Sequence, residues 1–372
     1  MSMTFPPQSL GQPPHQTISS LNASECNRTC ATGGNSDQDF KSMAYIVTYC
    51  IVFPIGFLCN SVALFVFLRL TRKRSANTVF MINLALSDTA FSLTLPFRLV
   101  YYFRGSQWDF PDWLCRLCVF AFYLNLYTSV LFLTGLSVLR YIAVVHPFRN
   151  RSLVTVKRAA WICTGIWVAV ALLSTPFLLS GTLVRGDKVR CFEPGATKSW
   201  YRILMLNYVA LLLGFLLPFA TILGCYGCIM FKLVSEKKKP RKSRQNRRRS
   251  VYLVTVILSS LLLCFLPYHL LRSLHLHAVV QCWNCRVTGW LLRMLVVSLC
   301  LAASNSCLNP LLYYFAGESF RTTVRTTVRS TLRSASFSSV GQGNMPSWRK
   351  RSQYPSSSTA QGLPDICLRP QD

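Results

Sequence analysis

The sequence predicts an all-α integral membrane protein, a seven-transmembrane helix bundle with a short amphipathic C-terminal helix on the membrane surface. Of its 372 residues, 51% are hydrophobic and only 14% are charged, whereas a soluble domain has about a quarter charged residues. The hydrophobic residues fall in seven runs, each long enough for the roughly 20 residues that cross a bilayer. These runs cover about 43–68, 79–102, 113–145, 159–181, 203–231, 251–276 and 290–315.

The runs divide the chain into four segments: a polar tail at 1–42, the seven-helix domain at 43–316, the amphipathic helix at 317–330 and a second tail at 331–372. The amphipathic helix would carry Phe320, Val324 and Val328 on one face, with arginines beside them. The second tail is rich in Ser, Gly and Pro, so we expect it to be disordered. Its serines are available for phosphorylation, although a plain solvated tail explains them equally well.

The distribution of basic residues predicts which ends of the spans face the cytoplasm. Lys and Arg crowd into the gaps after the first, third and fifth runs, most densely from Lys232 to Arg249. Positively charged loops stay on the cytoplasmic side, so we expect a multi-pass protein of the plasma membrane with its N-terminus outside. The Asn-x-Ser/Thr triplets at Asn22 and Asn27 would then be accessible for glycosylation, although such triplets also arise by chance.

Several other classes of protein fit the sequence poorly. The formal net charge of +28 does not indicate nucleic-acid binding, because the basic residues lie mostly in the gaps between apolar runs. A nucleic-acid-binding protein usually has them on one face of a soluble domain. A transporter is the main alternative, but matching halves with broken helices are not evident. A membrane enzyme would need a nucleophile or a metal site. His275 and His277 are the nearest pair of histidines, and residues two apart do not share a helix face.

One carboxylate, Asp88, lies in the middle of the second run, where a buried charge is costly and indicates function. Amide and hydroxyl side chains occur in the third and seventh runs, at Asn125, Ser129, Asn305 and Asn309. An acid among such oxygen donors predicts a site for a small cation, and we expect a structural sodium ion there and no other cofactor. The alternative is an amide network that only holds the helices together.

Basic residues also lie near the predicted outer ends of the runs. Lys41 precedes the first run, Arg98 follows Pro96 in the second, and Arg272 is in the sixth. Aromatic residues occur at similar depths, namely Tyr101, Tyr102, Tyr123, Tyr127 and Tyr268. Cations above an aromatic cavity suit an amphipathic acid as ligand. Alternatively, each arginine extends to the lipid headgroups.

Short motifs occur in order along the spans. They are Asn60, Leu84-Ala-Leu-Ser-Asp88, Cys115, Arg140-Tyr141, Trp167, Pro218 with Tyr226, Cys264-Phe-Leu-Pro267 and Asn309-Pro310-Leu-Leu-Tyr313. Together they resemble the motifs of class A (rhodopsin-like) G-protein-coupled receptors, and the resemblance covers the chain from about residue 41 to residue 329.

The resemblance implies a heterotrimeric G protein as partner, and receptor kinases and arrestin as partners of the C-terminal tail. Arg140 would engage the G protein from the cytoplasmic end of the third span. The family usually has an acid before this arginine, whereas this chain has Leu139, so the inactive state would be held less firmly. The implied switch residues are Arg140, Tyr226, Phe265, Pro267, Asn309, Pro310 and Tyr313.

The resemblance also implies a disulfide between Cys115, at the start of the third span, and Cys191 in the second outer loop. A second bridge is expected between Cys26 or Cys30 in the N-terminal tail and Cys282 or Cys285 before the seventh span. Its pairing cannot be read from the sequence.

Longer segments are similar to the cysteinyl leukotriene receptors: Leu95–Tyr102, Tyr123–Tyr127, Pro267–Arg272 and Asn309–Glu318. Segments typical of types 1 and 2 both occur, and type 2 is favoured. This resemblance implies that the ligand is an anionic lipid mediator and that membrane lipids are further partners. It also implies coupling to Gq/11-type G proteins, with release of calcium. Related receptors bind nucleotides or lysophospholipids, which are also anionic. The implied ligand-binding residues are Lys41, Arg98, Tyr101, Tyr123, Tyr127, Tyr268, His269 and Arg272.

Overall fold

A computed structural model describes residues 35–71, 74–178, 181–185, 187–192, 197–235, 241–316, 320–322, 326 and 329. Within these residues, seven helices are long and apolar enough to cross a membrane. They are Ser36–Leu70, Ala76–Phe103, Asp112–Val145, Val156–Pro176, Trp200–Ser235, Ser250–Val280 and Cys285–Tyr314. We refer to them as the first to seventh spans. The chain is a multi-pass membrane protein, and the predicted seven-helix architecture is confirmed.

The spans are built from α-helices, some of which are joined by π-helical segments. The α-helices are α1 (Asn35–Phe65), α2 (Ala76–Ser92), α3 (Leu95–Phe103), α4 (Asp112–Val145), α5 (Pro147–Leu153), α6 (Val156–Leu178), α7 (Thr197–Val209), α8 (Leu217–Ser235), α9 (Arg241–Ser260), α10 (Leu266–Val280) and α11 (Cys285–Ala316). The π-helical segments are Val66–Leu70, Ala210–Leu216 and Leu261–Phe265. Helix α1 begins at Asn35, so the boundary predicted between residues 42 and 43 lies inside a helix.

Two of the π-helical segments precede prolines. Proline has no backbone N–H, so an α-helix loses one of its regular hydrogen bonds at Pro218 and at Pro267. Just before each proline, a backbone N–H bonds to the carbonyl five residues earlier, as in a π-helix. These bonds join Leu217 N–H to the Leu212 carbonyl and Leu266 N–H to the Leu261 carbonyl. Such bulges bend a helix. The fifth and sixth spans therefore have defined points of distortion.

The second span is interrupted immediately before Pro96. Helix α2 ends at Ser92 and α3 begins at Leu95. Between them, Thr94 donates to the Phe91 carbonyl through both its backbone N–H, at 2.9 Å, and its hydroxyl, at 2.8 Å. This tighter turn redirects the outer part of the span, and it places Arg98 among the buried residues of α3.

A single hydrophobic core runs through the bundle and includes residues from all seven spans. The second span is the most enclosed. In its most apolar segment, 61% is buried, compared with 22% in the corresponding segments of the fourth and fifth spans. Large apolar side chains also point outward, among them Trp161 and Phe231. An apolar outer surface is what a membrane-spanning bundle requires.

A β-hairpin covers one end of the bundle, which we call the outer end. Strands β1 (Leu183–Arg185) and β2 (Lys188–Arg190) pair antiparallel, and Trp108 N–H donates to the Val189 carbonyl at 2.8 Å. The disulfide between Cys115 and Cys191 fastens the end of the hairpin to the third span. This confirms the predicted first bridge.

Several predictions concern residues outside the described part of the chain: Asn22, Asn27, Cys26, Cys30 and the tail at 331–372. Of the predicted amphipathic helix at 317–330, residues 320–322, 326 and 329 are described, and they are helical. The Phe320 ring packs 5.1 Å from the ring of Phe67 at the end of the first span.

Candidate ligand-binding site and buried polar cluster

A cavity of about 170 Å³ lies between the outer ends of the spans. Its described lining includes three cations, Lys41, Arg98 and Arg272, and no carboxylate. The remaining lining residues are Tyr45, Tyr49, Tyr102, Val119, Phe122, Tyr123, Gly181, Phe192, Ile203 and Leu299. The cavity therefore brings together the three cations that the sequence analysis selected, together with Tyr123.

Arg98 is the most buried of these cations, with 7% of its surface exposed. Its Nη2 donates to the Cys118 carbonyl at 2.7 Å. The guanidinium lies between two aromatic rings, 4.6 Å from the centroid of Phe192 and 5.2 Å from that of Phe122. Its Nε has no hydrogen-bond partner, and no described carboxylate forms an ion pair with it. A buried charge without a counter-ion is costly, so this position favours an anion.

Three tyrosines form the wall between the first and second spans. Tyr45 stacks on Tyr49 with ring centroids 5.5 Å apart, and it lies 4.9 Å from the ring of Tyr102. All three are buried, and Tyr49 and Tyr102 interact electrostatically with Arg98. The sequence analysis missed Tyr45 and Tyr49. Two tyrosines four residues apart share a helix face, and this spacing within an apolar run was the available signal.

Arg272 approaches the cavity from the sixth span. Its Nη2 lies 3.4 Å from the Tyr123 hydroxyl, a long hydrogen bond. Tyr268, one turn earlier, is almost fully buried and interacts electrostatically with Arg272. No described carboxylate forms an ion pair with Arg272 either.

Four residues predicted to bind ligand are not among the described lining residues of this cavity: Tyr101, Tyr127, Tyr268 and His269. Tyr101 packs behind Phe192, with ring centroids 5.4 Å apart. His269 stacks on Phe215 at 4.6 Å, and neither of its ring nitrogens has a hydrogen-bond partner. These residues support the walls of the cavity or lie below it.

Tyr127 lines a different cavity of about 90 Å³, formed by residues of the third, fourth and fifth spans. Its ring packs against Gly214 in the π-helical segment of the fifth span. A Cβ atom at Gly214 would lie 2.6 Å from the Tyr127 ring. Glycine is thus needed there for the two spans to approach each other.

Phe192 owes its position to the outer loop. It follows Cys191 directly and has a φ of 68°, in the left-handed region that non-glycine residues seldom adopt. Edge contacts to Tyr101 at 5.4 Å and to Trp108 at 5.7 Å hold the ring in place. The disulfide and these contacts together place an aromatic ring over Arg98.

A second polar contact fixes the start of the same loop. Asp112 Oδ1 accepts hydrogen bonds from the Thr182 N–H at 2.6 Å and from its hydroxyl at 2.9 Å. Arg116 binds the same carboxylate through Nε and donates from Nη1 to the Leu178 carbonyl at 2.8 Å. Gly181 lies against this group, because an added Cβ atom would be 2.5 Å from Asp112 Oδ1.

Asp88 forms the centre of a polar cluster deeper in the bundle, and none of its surface is exposed. Asn125 Nδ2 donates to Oδ1 at 2.9 Å, and Asn309 Nδ2 donates to Oδ2 at 2.7 Å. Asn125 Nδ2 also lies 3.1 Å from the Ser87 hydroxyl. The carboxylate thus joins the second, third and seventh spans.

The residues around Asp88 include oxygen atoms that are not satisfied. Asn305 Oδ1 and Asn309 Oδ1 are buried without a hydrogen-bond partner, and the Ser129 hydroxyl lies beside the carboxylate outside hydrogen-bond geometry. Carboxylate, amide and hydroxyl oxygens are ligands for hard cations, so these residues fit a sodium ion. No group of three or more His, Cys, Asp or Glu side chains in the described part of the chain could hold another metal.

The predicted switch residues lie between this cluster and the inner end. Tyr313 is fully buried, and its hydroxyl donates to Asn60 Oδ1 at 3.1 Å. Asn60 Nδ2 in turn donates to the Ser306 carbonyl at 2.8 Å, which ties the first span to the seventh. Phe265 is buried at the end of the π-helical segment next to Pro267.

Arg140 and Tyr226 are each partly buried on the inner halves of the third and fifth spans. Pro310 lies inside α11, which continues through it. Cys285 is disulfide-bonded. Its predicted partners, Cys26 and Cys30, fall outside the described residues, so the pairing of the second bridge stays a prediction.

Comparisons with known proteins agree with this architecture. Residues 59–313 match the 7 transmembrane receptor (rhodopsin family). The chain is 42% identical to mouse cysteinyl leukotriene receptor 2 over 301 residues, which cover 80% of this chain and 94% of that protein. It is 39% identical to the mouse type 1 receptor over 306 residues, 81% and 85% of the two chains. A chicken purinoceptor is 37% identical over 278 residues, 73% and 76% of the two chains. The chain therefore belongs to the rhodopsin family of seven-transmembrane, G-protein-coupled receptors and is a homologue of the cysteinyl leukotriene receptors, not an enzyme.

Proposed function

We propose that this receptor binds an anionic lipid mediator, a cysteinyl leukotriene, in the cavity at its outer end. The observation that carries the proposal is the buried guanidinium of Arg98, which has no ion-pair partner among the described residues. A ligand carboxylate would supply the missing anion and match the planar fork of the guanidinium.

The rest of the cavity suits the same class of ligand. A cysteinyl leukotriene has a long apolar chain and more than one carboxylate, and the cavity has aromatic walls with three cations. Arg272 and Lys41 would meet a second acidic group, and Tyr123 would donate a hydrogen bond from the third span. Tyr101, Tyr127, Tyr268 and His269 would shape the surrounding walls. Relatives that are 38–42% identical carry the name cysteinyl leukotriene receptor.

Ligand binding would be passed to a Gq/11-type G protein at Arg140, with release of calcium in the cytoplasm. In this proposal the receptor lies in the plasma membrane with its N-terminus outside, and Asn22 and Asn27 carry glycans. Phosphorylation of the C-terminal tail by receptor kinases would recruit arrestin. The basic loops between spans support this orientation.

The direct test is calcium release in cells that express the full chain. Leukotriene D4, adenosine diphosphate and lysophosphatidic acid would be applied in parallel, and we expect the leukotriene to act at the lowest concentration. The control is Arg140→Ala, which should bind the leukotriene at the cell surface but release no calcium. A parent receptor that does not respond to the leukotriene would overturn the proposal.

A nucleotide is the second candidate ligand. The 37% identity to the chicken purinoceptor favours it, and phosphates would meet the same cations. The nucleotide arm of the calcium assay separates the two candidates. A response to the nucleotide alone would replace the first proposal with the second.

We also propose a sodium ion beside Asp88, held with Asn125, Ser129, Asn305 and Asn309. The unsatisfied amide oxygens of Asn305 and Asn309 support this site. A bound cation would neutralise the buried carboxylate and stabilise the present arrangement of the second, third and seventh spans.

A further inference from the structure

The β-hairpin over the outer end of the bundle is fastened to the third span at both of its ends. After β2, the disulfide joins Cys191 to Cys115. Before β1, Thr182 donates to Asp112 Oδ1 through its N–H at 2.6 Å and through its hydroxyl at 2.9 Å. Asp112 and Cys115 are three residues apart on α4, and residues at this spacing are neighbours on a helix surface. One turn of the third span therefore carries both anchors.

The residues next to these two anchors line the outer cavity. Gly181 comes directly before Thr182, and Phe192 comes directly after Cys191. Both Gly181 and Phe192 belong to the cavity lining, whereas Asp112 is not among the described lining residues. The two anchors thus determine where two parts of the cavity wall lie, from positions outside the cavity.

The β2 side of the hairpin has several contacts in addition to the disulfide. Its Val189 carbonyl accepts a hydrogen bond from the Trp108 N–H at 2.8 Å. Lys188 Nζ lies 3.3 Å from the Gly105 carbonyl. Val189 and Phe192 also pack against the hydrophobic core. The loss of any one of these contacts would therefore leave the β2 side in place.

The β1 side has far fewer contacts. Between Gly181 and Val184, the two bonds to Asp112 are the only hydrogen bonds to a described residue outside the hairpin. Val184 is 73% exposed, and neither it nor Leu183 packs against the hydrophobic core. Within the described part of the chain, the position of Gly181 thus depends mainly on the Asp112 carboxylate.

Arg116 holds this carboxylate in place. Its Nε binds Asp112 Oδ2, and its Nη1 donates to the Leu178 carbonyl at 2.8 Å, at the end of α6. One ion pair on the third span therefore fastens the chain both where it leaves the fourth span and where it enters the hairpin. Gly181 lies directly against the pair, because an added Cβ atom would be 2.5 Å from Asp112 Oδ1.

We propose that Asp112 is a positioning residue for ligand binding, which holds Gly181 in the cavity wall and so slows the departure of the ligand. Its effect on binding rests on the proposed function, because the ligand is the one proposed for this cavity. A loop that is ordered before binding lowers the free-energy cost of binding. Without the carboxylate, the β1 side loses its anchor while the disulfide keeps the β2 side in place. The wall at Gly181 then opens more often, and a bound ligand leaves faster.

Hydrogen exchange tests the anchor without any ligand. In the purified full-length receptor, deuterium uptake of the peptide that contains Thr182 would be measured by mass spectrometry, because a hydrogen-bonded amide is protected from exchange. In Asp112→Ala this uptake should be about two- to tenfold faster, the effect of one ordinary hydrogen bond. The peptide that contains Trp108, whose N–H is bonded to β2, should keep the parent rate.

The matched control is Asp109→Ala. Asp109 lies three residues before Asp112 and is also paired with an arginine, Arg104, at 2.7 Å, but its carboxylate has no bond to Thr182. This variant should leave the exchange of both peptides unchanged. Equal acceleration in Asp109→Ala and Asp112→Ala would mean that the loss of negative charge, and not the loss of the anchor, loosens the loop.

Dissociation of tritiated leukotriene D4 from membranes provides the functional readout. We expect Asp112→Ala to release it about two- to tenfold faster than the parent, with an association rate within about twofold. Asp112→Asn keeps an acceptor oxygen for Thr182, so its dissociation rate should lie closer to that of the parent. A variant that only folds less well would have fewer binding sites, and the remaining sites would release the ligand at the parent rate.

Two results would overturn the inference. One is an unchanged exchange rate at Thr182 in Asp112→Ala. The other is an unchanged dissociation rate in Asp112→Ala when the parent binds the leukotriene, and the proposed function would then stand. If the parent does not bind the leukotriene, the proposed ligand is wrong, while hydrogen exchange still decides whether Asp112 anchors the hairpin.

Discussion

The outer cavity and the cluster around Asp88 are both charged and buried, but their charges are satisfied differently. Arg98 has one carbonyl, two aromatic rings and nearby tyrosines around it, and no carboxylate among the described residues. Asp88 accepts two short hydrogen bonds from amides on two other spans. Within the described residues, the inner charge thus has hydrogen-bond donors from two other spans, whereas the outer charge has no carboxylate partner.

This difference indicates two kinds of function. A buried charge with its own hydrogen-bond network fixes the helices around it, and its loss changes how they are arranged. A buried charge without a counter-ion favours the arrival of one. The outer cavity is therefore suited to binding a ligand, whereas the inner cluster is suited to responding when the spans move.

The largest expected effect is at Arg98. Arg98→Ala should weaken binding of leukotriene D4 about ten- to a hundredfold, because a hydrogen bond to a charged group is worth about 1.5–3 kcal/mol. Arg98→Lys keeps the charge but loses the planar fork, so its affinity should lie between those of the parent and the alanine variant. Competition binding on membranes with matched receptor density measures both.

The control for this comparison is Arg104→Ala. Arg104 forms its ion pair at the surface, with 63% of its side chain exposed, and such pairs contribute little. We expect its affinity to remain within about twofold of the parent. An equal loss at Arg104 and Arg98 would mean that general positive charge, and not the buried guanidinium, attracts the ligand.

A smaller effect is expected at Asp88. In Asp88→Asn the amide cannot supply the negative charge that a sodium ion requires, so agonist affinity should become independent of sodium. The measurement compares agonist binding in sodium chloride with binding in the same concentration of N-methylglucamine chloride. If the variant keeps the parent's sodium dependence, the cluster is a structural amide network alone.

Among the residues of the two sites, the smallest effect should come from Tyr123→Phe. The Tyr123 hydroxyl lies 3.4 Å from Arg272, which is long for a hydrogen bond, and the ring itself remains in the variant. We expect the affinity for leukotriene D4 to fall by no more than about threefold, the effect of a weak hydrogen bond. A loss as large as that of Arg98→Ala would show that Tyr123, and not Arg98, is the main polar contact.

Much of the fold could be predicted from the sequence, because runs of apolar residues and the bilayer thickness determine the spans. The cavity cations were also predictable, since placing an arginine within an apolar run costs free energy and therefore indicates a function. Asp88 and its amide partners Asn125 and Asn309 were found for the same reason, and the structure brings them into contact.

The aromatic part of the cavity was predicted less well, because it depends on helix rotation and loop conformation. Tyr123 and Tyr127 share a helix face, yet one lines the outer cavity and the other a separate cavity beside the fourth and fifth spans. Phe192 reaches Arg98 only because its backbone adopts a left-handed conformation after Cys191. No periodicity in the sequence indicates such a conformation.

The most direct test is whether Arg98 recognises a carboxylate of the ligand. Each carboxylate of leukotriene D4 would be converted to its methyl ester, and the affinities of the acid and the esters would be measured on the parent and on Arg98→Ala. We predict that one ester binds the parent about ten- to a hundredfold more weakly than the acid, whereas the variant hardly distinguishes the two. If every ester loses the same affinity on the parent and on Arg98→Ala, Arg98 does not bind the ligand carboxylate.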